Sequence, residues 1–213
     1  APVADQVLSA DFAPQNAPIG YWSRQYAYDK ASIISHAQAF TEGMKAAKVL
    51  TTAKHFPGLG AVTGNTDISA GVRDDQTNSN SESVQIFKDL ISSGTPSIMT
   101  ATAIYDKIDP NLPGAFSSKM VDGLLRKQLG FDGLVITDVL SHAVQVQSWT
   151  PGQRAVLALS AGNDLVLANE PTQIPEMISE VLQKVKADPD FAKKISQSAT
   201  RVIKVKEEMK LVE

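Results

Sequence analysis

Short apolar runs separated by amphipathic helical segments leave this chain few ways to fold. Gly133-Leu134-Val135-Ile136-Thr137 is the clearest run; Val49-Leu50-Thr51-Thr52-Ala53, Ser97-Ile98-Met99-Thr100-Ala101 and Asp164-Leu165-Val166-Leu167-Ala168 repeat it. A strand wet on one face alternates apolar with polar, whereas a run apolar throughout is covered on both faces. The opening stretch Ala1-Pro2-Val3-Ala4-Asp5 reads as a further strand, and Ala115-Phe116-Ser117 as a short sixth. Helical spacing is read between them. Ile33, Ala37, Phe40 and Met44 share a face of a helix over 29–48, which Asp29 caps. Val84, Phe87, Leu90 and Ile91 do the same over 81–92, with Gly94 as the stop. Further helices are expected over 119–129, 154–161, 174–187 and 189–211. Strands alternating with helices predict a parallel sheet and a single α/β domain over 1–213. On pattern alone an open doubly wound sheet and a β/α barrel both remain possible. No Gly-x-Gly-x-x-Gly follows the first strand, so nothing indicates a dinucleotide.

Composition narrows the function classes. With 43% hydrophobic residues and 20% charged among 213, the chain can bury a substantial core. A formal charge of −3 gives no support for a nucleic-acid partner, because phosphate binding wants a basic surface. No run approaches the roughly 18 apolar residues of a membrane span. There is no cysteine, which excludes disulfides and thiolate zinc sites and leaves the compartment open. Three scattered histidines without His-Glu-x-x-His spacing do not suggest a metal, and no cofactor is implied.

Chemistry concentrates where the runs end. After Thr52-Ala53 the chain continues Lys54-His55-Phe56-Pro57-Gly58-Leu59-Gly60, with Asn65-Thr66-Asp67 close behind. Pro and Gly end the ladder and turn the backbone, leaving a cation and an imidazole at the mouth of the fold. In α/β folds ligands bind at that carboxyl end of the strands. Asp138 stands at the end of another run, following Phe131-Asp132-Gly133-Leu134-Val135-Ile136-Thr137 and preceding Val139-Leu140-Ser141. Such a residue is either the cap of the next helix or a carboxylate aimed into the mouth. In the second case it can act as a nucleophile or as an acid/base.

The Lys-His-Phe-Pro-Gly-x-Gly string with its polar loop resembles a signature of glycoside hydrolase family 3, in its β-N-acetylglucosaminidase branch. The stretch from Phe131 to Ser141 resembles that family's second signature, whose first Asp is the nucleophile and falls on Asp138. Asn16-Ala17-Pro18-Ile19-Gly20, then Arg24 and Asp29, resembles its Ile-Gly-x-Arg stretch, with two extra residues here. By this resemblance Arg24, Lys54 and His55 line the substrate site and grip sugar hydroxyls. Without the resemblance, Arg24 reads as a surface arginine and His55 as a core imidazole. His36 lies in a helical pattern and reads as structural.

The chain departs from the family pattern in the Asn65-Thr66-Asp67 loop, where the branch has Asp-Ser/Thr-His and the His is the general acid. Here Asp67 either replaces that His as acid/base or the loop has lost its catalytic role. Leu59, Val139 and His142 are further departures, standing where the family has His, the second Asp and Met.

The resemblance covers the whole chain and implies a TIM-type (β/α) barrel. In the family, the stretch resembling Ala1–Asp5 is the third strand. A complete barrel has eight strands and typically about 250 residues. The expectation is therefore a barrel lacking its first two strands in this chain, its open edge covered by self-association or by an N-terminal fragment. The implied function is a retaining β-glycosidase acting on N-acetylglucosamine-containing glycans such as cell-wall fragments. The alternative is a catalytically silent barrel that binds glycan through Arg24, Lys54 and His55.

Overall fold

The computed structural model describes residues 1–212. Its centre is a parallel sheet of β1 (Thr52–Phe56), β3 (Ser97–Thr100), β6 (Leu134–Val139) and β7 (Leu165–Leu167), paired in that order. The stretch Ala1–Asp5 joins β1 through one parallel bridge, Val3 to Lys54, braced by Ala4 N donating to Lys54 O at 2.6 Å. Spatial order thus follows chain order without reversal. A doubly wound sheet reverses at its switch point, whereas right-handed crossovers in unbroken sequence wind the strands of a β/α barrel. Here the unbroken order runs from the Val3 bridge through β1, β3 and β6 to β7.

A second, smaller sheet of β2 (Arg73–Asp74), β4 (Ile104–Tyr105) and β5 (Asp109–Pro113) lies in segments the sequence pattern leaves as loops. The helices are α1 (Lys30–Ala46), α2 (Glu82–Ser92), α3 (Pro151–Ala161), α4 (Ile174–Ala187) and α5 (Pro189–Glu208), plus a wide helix over Lys119–Gln128. Asp29 caps α1 as expected, its Oδ1 accepting from Ser32 N at 2.9 Å. The start of α3 is set three residues before the expected one by a capping box of Thr150 and Gln153 with Pro151 in the first turn. The core is filled by Phe56 and Phe87, edge to face at 5.2 Å, with Ile98, Val135, Leu125 and Met120 around them.

Two expectations are corrected, and one expected helix forms with an unusual winding. The strand expected over Val49–Ala53 begins at Thr52, and Val49 and Leu50 are exposed. Their apolar side chains belong to the turn leaving α1, so composition misled the register. The short strand at Ala115-Phe116-Ser117 is instead a single 3-10 turn over Gly114–Phe116, buried against Met120 and Tyr105. The helix over Lys119–Gln128 is wound with i→i+5 bonds, such as Gly123 N to Ser118 O and Leu129 N to Leu124 O.

At the end of the sheet where β6 and β7 begin, Asp164 accepts from Arg126 and from Arg201 Nη1 at 2.9 Å, and from Val135 N at 2.9 Å. Two strands, the wide helix and α5 are tied there by one carboxylate. No helix among the described residues is long and apolar enough to cross a membrane.

Candidate active site

The carboxyl ends of the strands gather most of the residues singled out by sequence. Asp138 is the next-to-last residue of β6, and its side chain is 20% exposed. Its Oδ1 accepts from Val139 N at 2.8 Å. Among the described residues, its Oδ2 accepts no hydrogen bond and faces His55 Nε2 at 3.9 Å.

His55 is held from behind. Its Nδ1 lies 2.7 Å from Asp5 Oδ2, and Asp5 Oδ1 also accepts from His55 N at 3.1 Å and Leu59 N at 2.7 Å. Burial pushes the Asp5 carboxyl up, but the His55 charge and hydrogen bond and the two amide donors outweigh it and hold it below the ordinary value. An ionised Asp5 carries no proton, so the hydrogen in that contact belongs to Nδ1. This fixes the ring and turns Nε2 toward Asp138.

The loop after His55 has little freedom. A Cβ on Gly60 would stand 1.6 Å from Gln6 O, so no other residue fits there. Gly58 has φ +131, and its carbonyl accepts from the buried Tyr105 hydroxyl at 2.8 Å. Asn16 Nδ2 donates to Leu59 O and Val62 O, both at 2.7 Å, while its Oδ1 accepts from Ile19 N and Gly20 N. One buried amide thereby fastens the His55 loop to the segment leading into Arg24. The Arg24 guanidinium donates to Pro18 O at 2.6 Å and is otherwise unpaired among the described residues. Lys54, on β1, has no side-chain hydrogen bond or ion pair among the described residues.

Asp67 closes the cluster. Its loop is shaped by Asn65, whose Oδ1 accepts from Asp67 N at 2.9 Å, an Asx-type turn. Solvent reaches the Asp67 side chain, yet withdrawal of part of its water shell raises its pKa, and the charge of Asp138 raises it further; His55 and Arg24 oppose the shift. These four groups are thus near enough to act on one another. The loop is docked onto the segment after β6: Gln145 N donates to Thr66 O at 3.1 Å and Val144 N to Asp67 O at 3.3 Å. The Gln145 side chain clasps Val72, accepting from its N at 2.9 Å and donating to its O at 3.0 Å. Arg154, buried, anchors that segment by donating to the carbonyls of Leu140, Ser141, Val146 and Trp149 and to Gln147 Oε1. The Asp67 loop is therefore held by main-chain and side-chain bonds that its own sequence does not reveal.

His142 stands apart at the exposed rim, its Nε2 3.6 Å from Glu170 Oε2. His36 lies on α1, its Nδ1 2.7 Å from Ser32 O and its ring stacked on Tyr26. Cavity volume does not mark the site: a groove of 480 Å³ lies outside it, between α3 and α4. Asp5, Asn16 and Gln145 are the residues that sequence reasoning missed. Only Asp5 left a signal, as the one charge in an apolar opening stretch.

Asp138 and the oriented His55 imidazole thus share the strand-end mouth, with Arg24 and Asp67 within electrostatic reach of one another. Residues 1–205 match the glycosyl hydrolase family 3 N terminal domain. The chain belongs to that family, and its fold is that of the family's N-terminal TIM-type barrel domain. The chain is similar to a crystal structure of Beta-N-acetylhexosaminidase from Beutenbergia cavernae DSM 12333, with 50% identity and a TM-score of 0.95 over 97% of this chain and 62% of that one. It is 33% identical over 183 residues to the Beta-hexosaminidase of Methylobacillus flagellatus, covering 85% of this chain and 51% of the relative. An uncharacterized secreted glycosyl hydrolase of Arthroderma benhamiae is 30% identical over 191 residues, 86% of this chain and 54% of the relative. The chain spans about half the length of the curated relatives it matches.

Proposed function

We propose that this chain carries the catalytic residues of a retaining β-glycosidase of the β-N-acetylglucosaminidase type. The observation that supports it most is Asp138 at the end of β6, whose Oδ2 accepts no hydrogen bond among the described residues and faces the Asp5-held His55 at 3.9 Å; the Asp138 charge also helps raise the Asp67 pKa. The names of the relatives, Beta-hexosaminidase and Beta-N-acetylhexosaminidase, support the substrate class.

In this reading Asp138 attacks the anomeric carbon as the glycosidic bond breaks, and protonated Asp67 gives its proton to the departing oxygen. The product of this step is a glycosyl ester on Asp138. Asp67, now a carboxylate, takes a proton from water as that water attacks the anomeric carbon and breaks its bond to the Asp138 oxygen, which frees Asp138 and restores protonated Asp67. Part withdrawal of its water shell and the neighbouring Asp138 charge keep a proton on Asp67 to higher pH than an ordinary carboxyl would hold it. Arg24, Lys54 and the Nε2 edge of His55 act on the sugar's hydroxyl and amide oxygens, where charged donors make the stronger bonds. A silent, binding-only barrel is the weaker reading, because it leaves the paired carboxylates without a task.

The domain is a single barrel unit in this reading. The edge at Val3, with its one bridge to Lys54, is covered by a second copy or a separate fragment. A monodisperse monomer in light scattering counts against the second copy.

The test is hydrolysis of aryl β-glycosides, with and without the N-acetyl group, by the protein and its Asp138→Asn variant. Nitrophenolate departs with little protonic help, so the assay isolates the nucleophile. Turnover that vanishes in the variant supports the proposal; equal inactivity of the two removes it.

A further inference from the structure

Three residues, Tyr21-Trp22-Ser23, stand between Gly20 and Arg24, where the resembling family stretch has one. The extra length is built into a pinned turn. Gly20–Trp22 forms a single 3-10 turn, with Trp22 N donating to Ile19 O at 3.2 Å and Ser23 N to Gly20 O at 2.9 Å. Ser23 then takes the left-handed conformation, φ 51, and Arg24 N returns to Ile19 O at 3.1 Å. Tyr21 N donates to Asn16 O at 2.9 Å, and a Cβ on Gly20 would meet Ala13 O at 2.6 Å, so the turn sits hard against Ala13. The N–H groups of this excursion, from Gly20 to Arg24, are thus all committed.

Its side chains are not. Tyr21 is 63% exposed and Trp22 66%, and they meet edge to face at 5.0 Å and 82°. Neither the Tyr21 hydroxyl nor the Trp22 indole N–H has a partner among the described residues. Single exposed aromatics need no explanation, but two rings held perpendicular on a rigid turn form a shaped apolar surface with polar tips. The turn also runs directly into Arg24, whose charge acts on Asp67. Two peptide links keep the Cα atoms of Trp22 and Arg24 within about 7.6 Å of each other.

We infer that Tyr21 and Trp22 are a stacking platform for the sugar ring on the leaving-group side of the scissile bond. This rests on the glycosidase reading and narrows its substrate class to N-acetylglucosamine oligosaccharides. A pyranose presents an apolar face of C–H bonds and a rim of hydroxyl and amide groups. The faces of the two rings match the first, and the free phenol and indole N–H match the second. Two rings at right angles also fix the plane of the sugar, which a single ring would leave free to slide.

The test uses the full-length protein with two substrates, a β-1,4-linked N-acetylglucosamine trisaccharide and the β-glycosyl fluoride of the same sugar. Fluoride has no ring to stack. Trp22→Ala is expected to raise KM for the trisaccharide by about tenfold more than for the fluoride, a loss typical of one aromatic contact. Tyr21→Ala does so by less, and Trp22→Phe restores most of the parent value. An unchanged thermal midpoint confirms folding, as expected for an exposed side chain. Equal losses on both substrates, or none on the trisaccharide, overturn the platform while leaving the glycosidase intact. A parent protein that neither cleaves nor binds either substrate overturns both readings.

Discussion

His55 Nε2 faces Asp138 Oδ2 at 3.9 Å, too far for a hydrogen bond, while its Nδ1 is gripped by Asp5 at 2.7 Å. The imidazole is thus fastened on one side and open on the other. A hydroxyl set beside the pair, at hydrogen-bond distance from both atoms, can bridge them without displacing either from a partner.

Asp5 serves both the fold and the site. Asp5→Asn keeps the shape but sets an amide donor against donors at His55 or Leu59. We expect a loss of about 1–3 kcal/mol, the cost of leaving a buried polar group unpaired, measured by urea unfolding. Because the folded Asp5 carboxyl is held below its ordinary value of about 3.9, its contribution is complete above that pH. It disappears as pH falls from there through the lower folded value. The stability gap between parent and variant should therefore close in acid.

Asp67 should titrate above the ordinary carboxyl value in carbon-13 NMR. Removing the Asp138 charge with Asp138→Asn should lower that value, and Arg24→Ala should raise it. Movement in the opposite sense in either variant would show that the groups are not neighbours in solution.

As acid/base, Asp67 matters most when the leaving group is poor. Asp67→Asn should slow oligosaccharide hydrolysis by about 10²–10⁴-fold, the usual worth of general acid–base catalysis. Dinitrophenyl glycosides should lose far less in the glycosyl-transfer step, read from kcat/KM.

Gln145 touches no ligand in this reading and acts through Asp67. Gln145→Ala leaves Val72 N–H and C=O without partners, at a cost of about 1–3 kcal/mol. The Asp67 loop loses its side-chain clasp, so the loss in kcat/KM should be larger for oligosaccharides than for activated aryl substrates. Gln145→Glu, which keeps the acceptor, should retain the bond from Val72 N.

Asp164→Asn tests the opposite end of the sheet. The carboxylate is shared by Arg126 and Arg201, and removing its charge leaves the largely buried Arg126 short of a partner. A destabilisation of about 3 kcal/mol is expected in chemical unfolding, with kcat/KM unchanged under native conditions.

Much of this architecture is written in local sequence. The buried runs at Ser97 and Gly133, the Asp29 cap and the bounds of α4 follow from periodicity and turn chemistry. The register of β1 does not, because Val49 and Leu50 are apolar residues left outside, and burial is decided by partners distant in sequence. The same limit governs the site. Lys54, His55 and Asp138 announce themselves by standing where strands end. Gln145 and Asn16 become meaningful only when the fold sets them beside Val72 and Leu59. A neutral amide in a loop carries no mark of the two carbonyls it will later join.

Arg154 holds the segment after β6 by four main-chain carbonyls and one side-chain oxygen. Carbonyls are the same whatever residue bears them. The anchor therefore reads the path of the chain and is nearly blind to its spelling. Residues such as His142 and Val144 can change while the loop keeps its course, and this lets a lineage alter the rim of the mouth without rebuilding the support beneath Asp67.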